Sequence, residues 1–417
     1  MNLKITSIYI FSSILSAVVP FILLPILTRV FPPEVYGQIA MYMIFVSLSS
    51  AFIGLNTIGA TERKYFETFC HDDLKTYNGN SFIVYFFSLL VYFLVISLLG
   101  DYFSSFLGIP LFWLYLAIIN SACLFIINFR LGQWQIRLKA VKYGVVQISN
   151  ALINMLISLF FVITLNLGGE GRVLGIISAL LIVSIYSCYS IIKDELVIIK
   201  YKKIYLIDLI KYGVPLIPHV IAGIVVLSLD RVIINKELGL ELTGIYMVAA
   251  SLSGALSLIF HSINKAYTPW LFTNLEKNCI KIKKEIVKKT YIYFVFLIFL
   301  SIISFFLAPL VFEVIVGERY HKASDIISIL VVGHVFLGMY LMVTNYIFYT
   351  KRTKLISIAT IISSVVNILL LLFLVPIYEL YGAALAFMIS NCLLFIVTWI
   401  VSARVFKMPW VSIFYKN

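Results

Sequence analysis

Charge is what this sequence holds least of. Only 12% of its 417 residues are Asp, Glu, Lys or Arg, against about a quarter in a soluble domain. That shortage excludes an ordinary aqueous surface over most of the chain. Cysteine is scarce as well. Cys70, Cys123, Cys188, Cys279 and Cys392 stand too far apart for a metal or redox motif, three in apolar runs and two in loops. Neither a disulfide framework nor a zinc site is expected. The motifs of enzymes are missing too. There is no Gly-rich phosphate loop, no Gly-x-Ser-x-Gly, no metal-spaced His/Cys/Asp cluster and no carboxylate pair in an outer loop. No catalysis and no cofactor are expected.

What the sequence has is apolar surface, with 62% of its residues hydrophobic. This excludes disorder, which goes with few apolar residues. A bilayer core about 30 Å thick takes about 20 apolar residues per helical crossing. The chain therefore holds about a dozen crossings and little else. The uncharged run Ile5 to Leu27 exceeds a signal-peptide core and no small-x-small site follows it, so it reads as the first span. Weakly charged stretches then place helices near 5–30, 37–60, 80–99, 107–129, 144–166, 172–192, 211–235, 243–264, 290–312, 324–349, 355–375 and 380–403. The expected fold class is an all-α polytopic membrane protein of twelve transmembrane helices.

The basic residues orient it. With both termini cytoplasmic, the loops on that side collect 26 of the 32 Lys and Arg, and the other side collects five: Arg29, Arg172, Lys236, Arg319 and Lys322. This is a strong positive-inside bias. It accounts for the net charge of +13 without invoking nucleic acid. The outer loops are little more than turns, with Glu170, Arg172, Glu318 and Arg319 read as solvated loop charges. Among the longer inner segments, 265–289 sets Lys281, Lys283, Lys284, Lys288 and Lys289 beside Ile280, Ile282, Ile286 and Val287. This predicts a basic amphipathic helix lying on the anionic leaflet.

Six crossings per half allow a parallel repeat, and four landmarks recur in order. Arg29 ends the first helix and Arg231 the seventh. Gly37 opens the second and Gly244 the eighth, each three residues after a Glu. Arg63-x-Tyr65 answers Lys265-x-Tyr267. Asn154 and Asn367 each precede a glycine by 15 residues. The expected organisation is two pseudo-symmetric six-helix bundles, 1–192 and 211–417, joined by a cytoplasmic linker, 193–210.

Charges inside or at the rim of spans call for a cavity or a partner. Asp230 and Arg231 follow a long apolar run, and neighbours on a helix diverge by about 100°. They are therefore not expected to neutralise each other. Arg29, Arg63, Arg231 and Lys265 are candidate anion ligands, the alternative being snorkelling to the head groups. Asp230, the carboxylate deepest in a span, and His219 are candidate coupling groups. His219, His261 and His334 also read as interhelical hydrogen-bonders. Pro20 and Pro25 in the first helix, and Pro215 and Pro218 in the seventh, predict matched kinks.

The run Pro20 to Arg29, followed by Pro33, Glu34, Tyr36 and Gly37, resembles the opening of the Wzx-type O-antigen flippases. These belong to the multidrug/oligosaccharidyl-lipid/polysaccharide (MOP) exporter superfamily. Gly213-x-Pro215-x-x-Pro218, Asp230-Arg231-x-x-Ile234, Leu238-Gly239 and Gly244-x-Tyr246 look like its seventh-helix signature. Asn264-x-Ala266-x-x-Pro269, Tyr320-x-x-Ala323, Asn367 and Tyr381 to Ala384 look like its later landmarks. The resemblance implies a transporter of the bacterial inner membrane, with helices one, two, seven and eight around a central cationic cavity. Alternating access through it would flip an undecaprenyl-pyrophosphate-linked oligosaccharide from the cytoplasmic to the periplasmic leaflet. Implied partners are that lipid-linked substrate, the membrane, and the polysaccharide polymerase and chain-length regulator. The coupling ion, H+ or Na+, stays open. The rival readings are a drug or cation antiporter of the same superfamily, a polytopic glycosyltransferase or polymerase, and a lipid II flippase. An excess of cavity cations argues against the first, short outer loops against the second, and the absence of two extra helices against the third.

Overall fold

A computed structural model describes residues 3–67, 71–277, 279–350, 352 and 354–410. Cys70, Lys351 and Lys416 lie outside the described residues. Among the described residues there is no strand. The helices are α1 (Leu3–Val30), α2 (Pro33–Phe52), α3 (Thr57–Glu67), α4 (His71–Leu107), α5 (Leu111–Ile136) and α6 (Ala140–Leu159). They continue with α7 (Gly168–Lys193), α8 (Lys203–Gly213), α9 (Ile217–Glu276), α10 (Ile280–Ile315), α11 (Ser324–Tyr349) and α12 (Lys354–Val405). Among the described residues, eleven helical segments are long and apolar enough to cross a bilayer. The last of them breaks at Glu379 (φ 48°) into two, which brings the crossings to the expected twelve. The chain is an all-α polytopic membrane protein.

By contact it forms two units, Met1–Val232 and Ile233–Asn417. The division falls inside α9, which is itself broken at Gly239 (φ 87°, ψ 177°). Only glycine occupies that region of backbone space readily. The seventh crossing is composite. α8 ends at Gly213, a one-turn 3₁₀ segment holds Val214–Leu216, and α9 starts at Ile217. Pro215 and Pro218 therefore coincide with a break in helix type. Pro20 and Pro25 sit within α1, which stays a single helix. A Cβ at Gly213 would run into the Leu55 carbonyl, so this residue lets α8 press against the turn after α2.

Several boundaries differ from expectation. The second crossing ends at Phe52 and not near residue 60, because Gly54, Leu55 and Asn56 all have positive φ. The turn is bonded to α4: the Gly54 N–H donates to Ser88 Oγ at 2.8 Å, and Thr57 Oγ1 lies 2.8 Å from Ser81 Oγ. The third helix, expected over 80–99, runs 37 residues from His71. Its first turns look like a loop because they are polar, yet Thr76, Asn78, Asn80 and Ser81 are buried.

The partner of the two asparagines is the segment after α7, which is laced to α4. Asn78 Nδ2 donates to the Leu196 carbonyl at 2.9 Å and Asn80 Nδ2 to the Lys200 carbonyl at 2.8 Å. The Lys202 and Ile198 N–H groups donate back to Asn80 Oδ1 and the Lys75 carbonyl, each at 3.0 Å. Buried backbone and amide groups demand such partners.

The expected surface helix at 265–289 does not exist as a separate element. α9 continues to Glu276, and α10 runs unbroken from Ile280 into the ninth crossing. Ile286 and Val287 are fully buried in the core of the second unit with Leu271, Leu275 and Tyr346. The apolar face of this basic stretch meets protein, and the lysines are the wet side of the same helix.

Candidate functional site

Arg29 lies in the last turn of α1 with an exposed side chain. Arg63, on α3, is half-exposed and held by carboxylates. Its Nε lies 3.0 Å from Glu67 Oε1 and its Nη2 3.7 Å from Asp208 Oδ2. The guanidinium also sits 5.1 Å from the centroid of the Tyr212 ring. Asp208, on α8, accepts a further hydrogen bond from the Tyr77 hydroxyl at 2.6 Å. Arg63 thus ties α3 to the foot of the seventh crossing.

Asp230 and Arg231 do pair, contrary to expectation. The Arg231 N–H donates to Asp230 Oδ1 at 2.8 Å, and its Nη1 lies 3.6 Å from that same oxygen. Divergence of neighbouring Cβ vectors does not prevent this, because the long arginine stem folds back along the helix. Nη1 also donates to the Leu227 carbonyl at 2.8 Å. Nε is buried and has no partner among the described residues. Arg63 and Arg231 share no partner. Lys265 belongs to the second unit and is exposed, as is His261 one turn before it. His219 is exposed. His334 is not a satisfied hydrogen-bonder: its Nδ1 is buried without a partner among the described residues, and its ring packs 5.0 Å from Phe387.

Sequence reasoning missed two arginines of the first unit. A helix near 107–129 leaves Arg130 just outside it, yet α5 runs past this residue and its side chain is 1% exposed. Its Nε donates to Ser190 Oγ at 3.0 Å, its Nη2 binds Asp194 Oδ2, and its guanidinium stacks 4.2 Å from the Trp134 ring. Burial works to raise the Asp194 pKa, but the bond from Arg130 and the fields of Arg130, Lys139 and Lys142 outweigh it, so the carboxyl stays below its ordinary value. The spacing of Arg130 and Trp134, one turn apart at the end of an apolar run, was the available signal.

Arg172, read as a solvated loop charge, lies in the second turn of α7. Its Nη1 donates to Asn154 Oδ1 at 2.6 Å and to Ser158 Oγ at 2.5 Å. Glu170, Glu318 and Arg319 are exposed as expected. Asn367, the repeat mate of Asn154, donates to Ser390 Oγ at 3.1 Å on the second half of α12. Each asparagine therefore bonds the helical segment that follows its own. Asn264 also has a structural role: Asn345 Nδ2 donates to its Oδ1 at 2.8 Å, joining α9 to α11.

Residues 3–275 match the polysaccharide biosynthesis protein family. The chain belongs to that family. It is 26% identical over 376 residues to an uncharacterized membrane protein of Haemophilus influenzae, covering 87% of this chain and 88% of the relative. A second protein of that organism, Lsg locus putative protein 1, is 26% identical over 378 residues, covering 88% and 89%. The fold is shared with the inward-facing form of a multidrug resistance MATE family transporter of the MOP superfamily (TM-score 0.72, 14% identity, 96% of this chain, 94% of that one). It is shared equally with the lipid II flippase MurJ in an inward closed conformation (TM-score 0.75, 14% identity, 96% and 87%). The family match and the shared fold agree with the resemblance carried by the first- and seventh-helix motifs.

Proposed function

We propose that the protein flips a lipid-linked oligosaccharide across the bacterial inner membrane by alternating access, with an undecaprenyl-pyrophosphate-linked O-antigen or similar polysaccharide repeat unit as cargo. Family membership supports a role in polysaccharide biosynthesis. The fold common to a lipid II flippase and a drug transporter is compatible with flipping a lipid. The relative named for the Lsg locus fits a role beside other polysaccharide proteins, and the polymerase and chain-length regulator are the proposed partners. The observation that carries the reading is Arg231. It stands in the seventh crossing with a buried Nε that no acceptor among the described residues meets. Leaving such a donor unpaired costs about 1–3 kcal/mol, and a pyrophosphate oxygen would supply the acceptor.

Arg29, Arg63 and Lys265 are the companion cations. Asp230, bonded to Arg231, is assigned to orienting it. Coupling, if protonic, is left to Asp230 or His219. An antiporter of organic cations would share the fold, but this set of positive groups disfavours its cargo.

The test is surface glycan in a strain lacking the native gene, with membrane abundance checked by immunoblot. Arg29→Gln and Arg231→Gln should cripple export at normal abundance. One lost charge-assisted bond lowers affinity about tenfold to hundredfold. Lys should substitute imperfectly, because it lacks the planar fork. Exposed Lys288, changed to Gln, is the control. Asp230→Asn, assayed beside them, should weaken export without changing its dependence on the proton gradient if Asp230 only orients. Full export by both Arg→Gln variants would remove these arginines from the mechanism.

A further inference from the structure

At the basic end of the first unit the laced segment after α7 leaves a polar pocket of about 310 Å³. The start of α4, the turn between α5 and α6, and the segment after α7 wall it. Lys75, Asn78, Arg137, Lys139, Asp194 and Glu195 line it. Both carboxylates are already engaged: Glu195 Oε2 lies 3.0 Å from Lys75 Nζ, and Asp194 is held by Arg130. The remaining charge is positive. Arg137 donates to the carbonyl of the neutral Gln133 at 3.0 Å and stacks 4.7 Å from the Tyr65 ring. Among the described residues it has no carboxylate within ion-pairing distance, and neither has Lys139 or Lys142. Burial pushes the Arg137 pKa down from its ordinary value, and the nearby Arg130 adds to this while Tyr65 and Asp194 oppose it. Lys139 is also the N-cap of α6 and supplies no side-chain cap, and the first-turn amides of a helix have no intrahelical acceptor.

The surface next to the pocket is apolar. Leu138, between the two cations, is 62% exposed, and Val141 and Val145 on α6 are 62% and 57% exposed. A free phosphate would use the cations and ignore this strip, whereas a membrane lipid would use both.

We propose that this pocket binds the phosphate head group of an anionic membrane phospholipid between Arg137 and Lys139, with its chains lying along Leu138, Val141 and Val145. Nothing in this assignment depends on the cargo. The site lies within one unit, and its lining includes none of Arg29, Arg63 and Arg231. Basic pockets between transmembrane helices on the cytoplasmic side suit such head groups, and two charge-assisted contacts to phosphate add to the leaflet attraction. A lipid held there would clamp α4, the α5–α6 turn and the segment after α7 together.

The experiment uses the full chain in neutral detergent, titrated with dioleoyl phosphatidylglycerol or dioleoyl phosphatidylcholine and read by native mass spectrometry and thermal unfolding. Phosphatidylglycerol should bind and raise the melting temperature, and phosphatidylcholine should not. Arg137→Gln and Lys139→Gln should each weaken binding about tenfold to hundredfold, and Lys288→Gln should leave it unchanged. Lys139 is exposed, so its variant carries the test should Arg137→Gln misfold. Wild-type affinity in Lys139→Gln would overturn the site. Equal binding of phosphatidylcholine would overturn the headgroup charge requirement. Stabilisation by inorganic phosphate or glycerol 1-phosphate equal to that by the lipid would make the ligand a soluble anion and overturn the lipid assignment.

Discussion

Arginine 130 shows how far a single residue's role depends on where its helix ends. Extended by two turns, α5 puts the guanidinium inside protein, and burial then demands a counter-ion. Asp194 supplies it from the segment after α7. Removing one partner of a buried pair costs about 3–5 kcal/mol. Arg130→Met and Asp194→Asn should therefore each lower the melting temperature in detergent by several degrees, with the double variant less impaired than the sum. The Asp194 carboxyl is depressed in the folded protein, so its contribution is fully present above the unfolded value, about 3.9. It is lost as pH falls through the lower folded value. Unfolding of the wild type should thus become easier below about pH 4, and Asp194→Asn should flatten that acid limb. An acid limb unchanged in Asp194→Asn would sink the assignment. Arg231 teaches the complementary point: angular separation of neighbouring residues did not predict its contact with Asp230, because a long flexible stem decides such contacts.

Among the elements, α10 and the seventh crossing depart furthest from hydropathy alone. A lysine-rich stretch with isoleucines every few residues has the periodicity of a membrane-surface helix, and the same periodicity serves a helix packed on its neighbours. Burial separates the two. Ile286 is fully buried beside Leu271 and Tyr346, so Ile286→Ala should destabilise by about 2–5 kcal/mol. Truncating Ile280, which is 62% exposed, should have little effect on stability. Equal effects in thermal unfolding would favour the leaflet reading. The seventh crossing was legible as a proline-marked irregularity. Its division into α8, a 3₁₀ turn and α9 depends on Gly213 fitting against the Leu55 backbone, a contact between residues far apart in the chain.

For the whole molecule, the charge bias remains the guide to orientation. Both termini, and Lys281 to Lys289, are expected on the cytoplasmic side. Reporter fusions after residue 284 should be active in the cytoplasm and silent outside, and fusions after residue 319 should behave the other way. The reverse pattern would invert the direction of transport. The family and the twelve crossings bear out what the apolar runs and the ordered motifs announced.

The sequence by itself determined the membrane class, the placing of most crossings and the polysaccharide biosynthesis family, since each rests on a long apolar run or on motifs read in order. It also singled out Arg29 and Arg231, because a charge among apolar residues is visible without coordinates. It could not show that Asn78, Asn80 and Arg130 are buried and bonded, or that Arg172 is bonded and partly buried, because polar residues near a helix end read as loop until a partner is found. Those partners are Leu196, Lys200, Asp194 and Asn154, some of them more than a hundred positions away. Only the tertiary structure brings them within hydrogen-bond distance, and at that range bonding geometry replaces hydropathy as the deciding quantity.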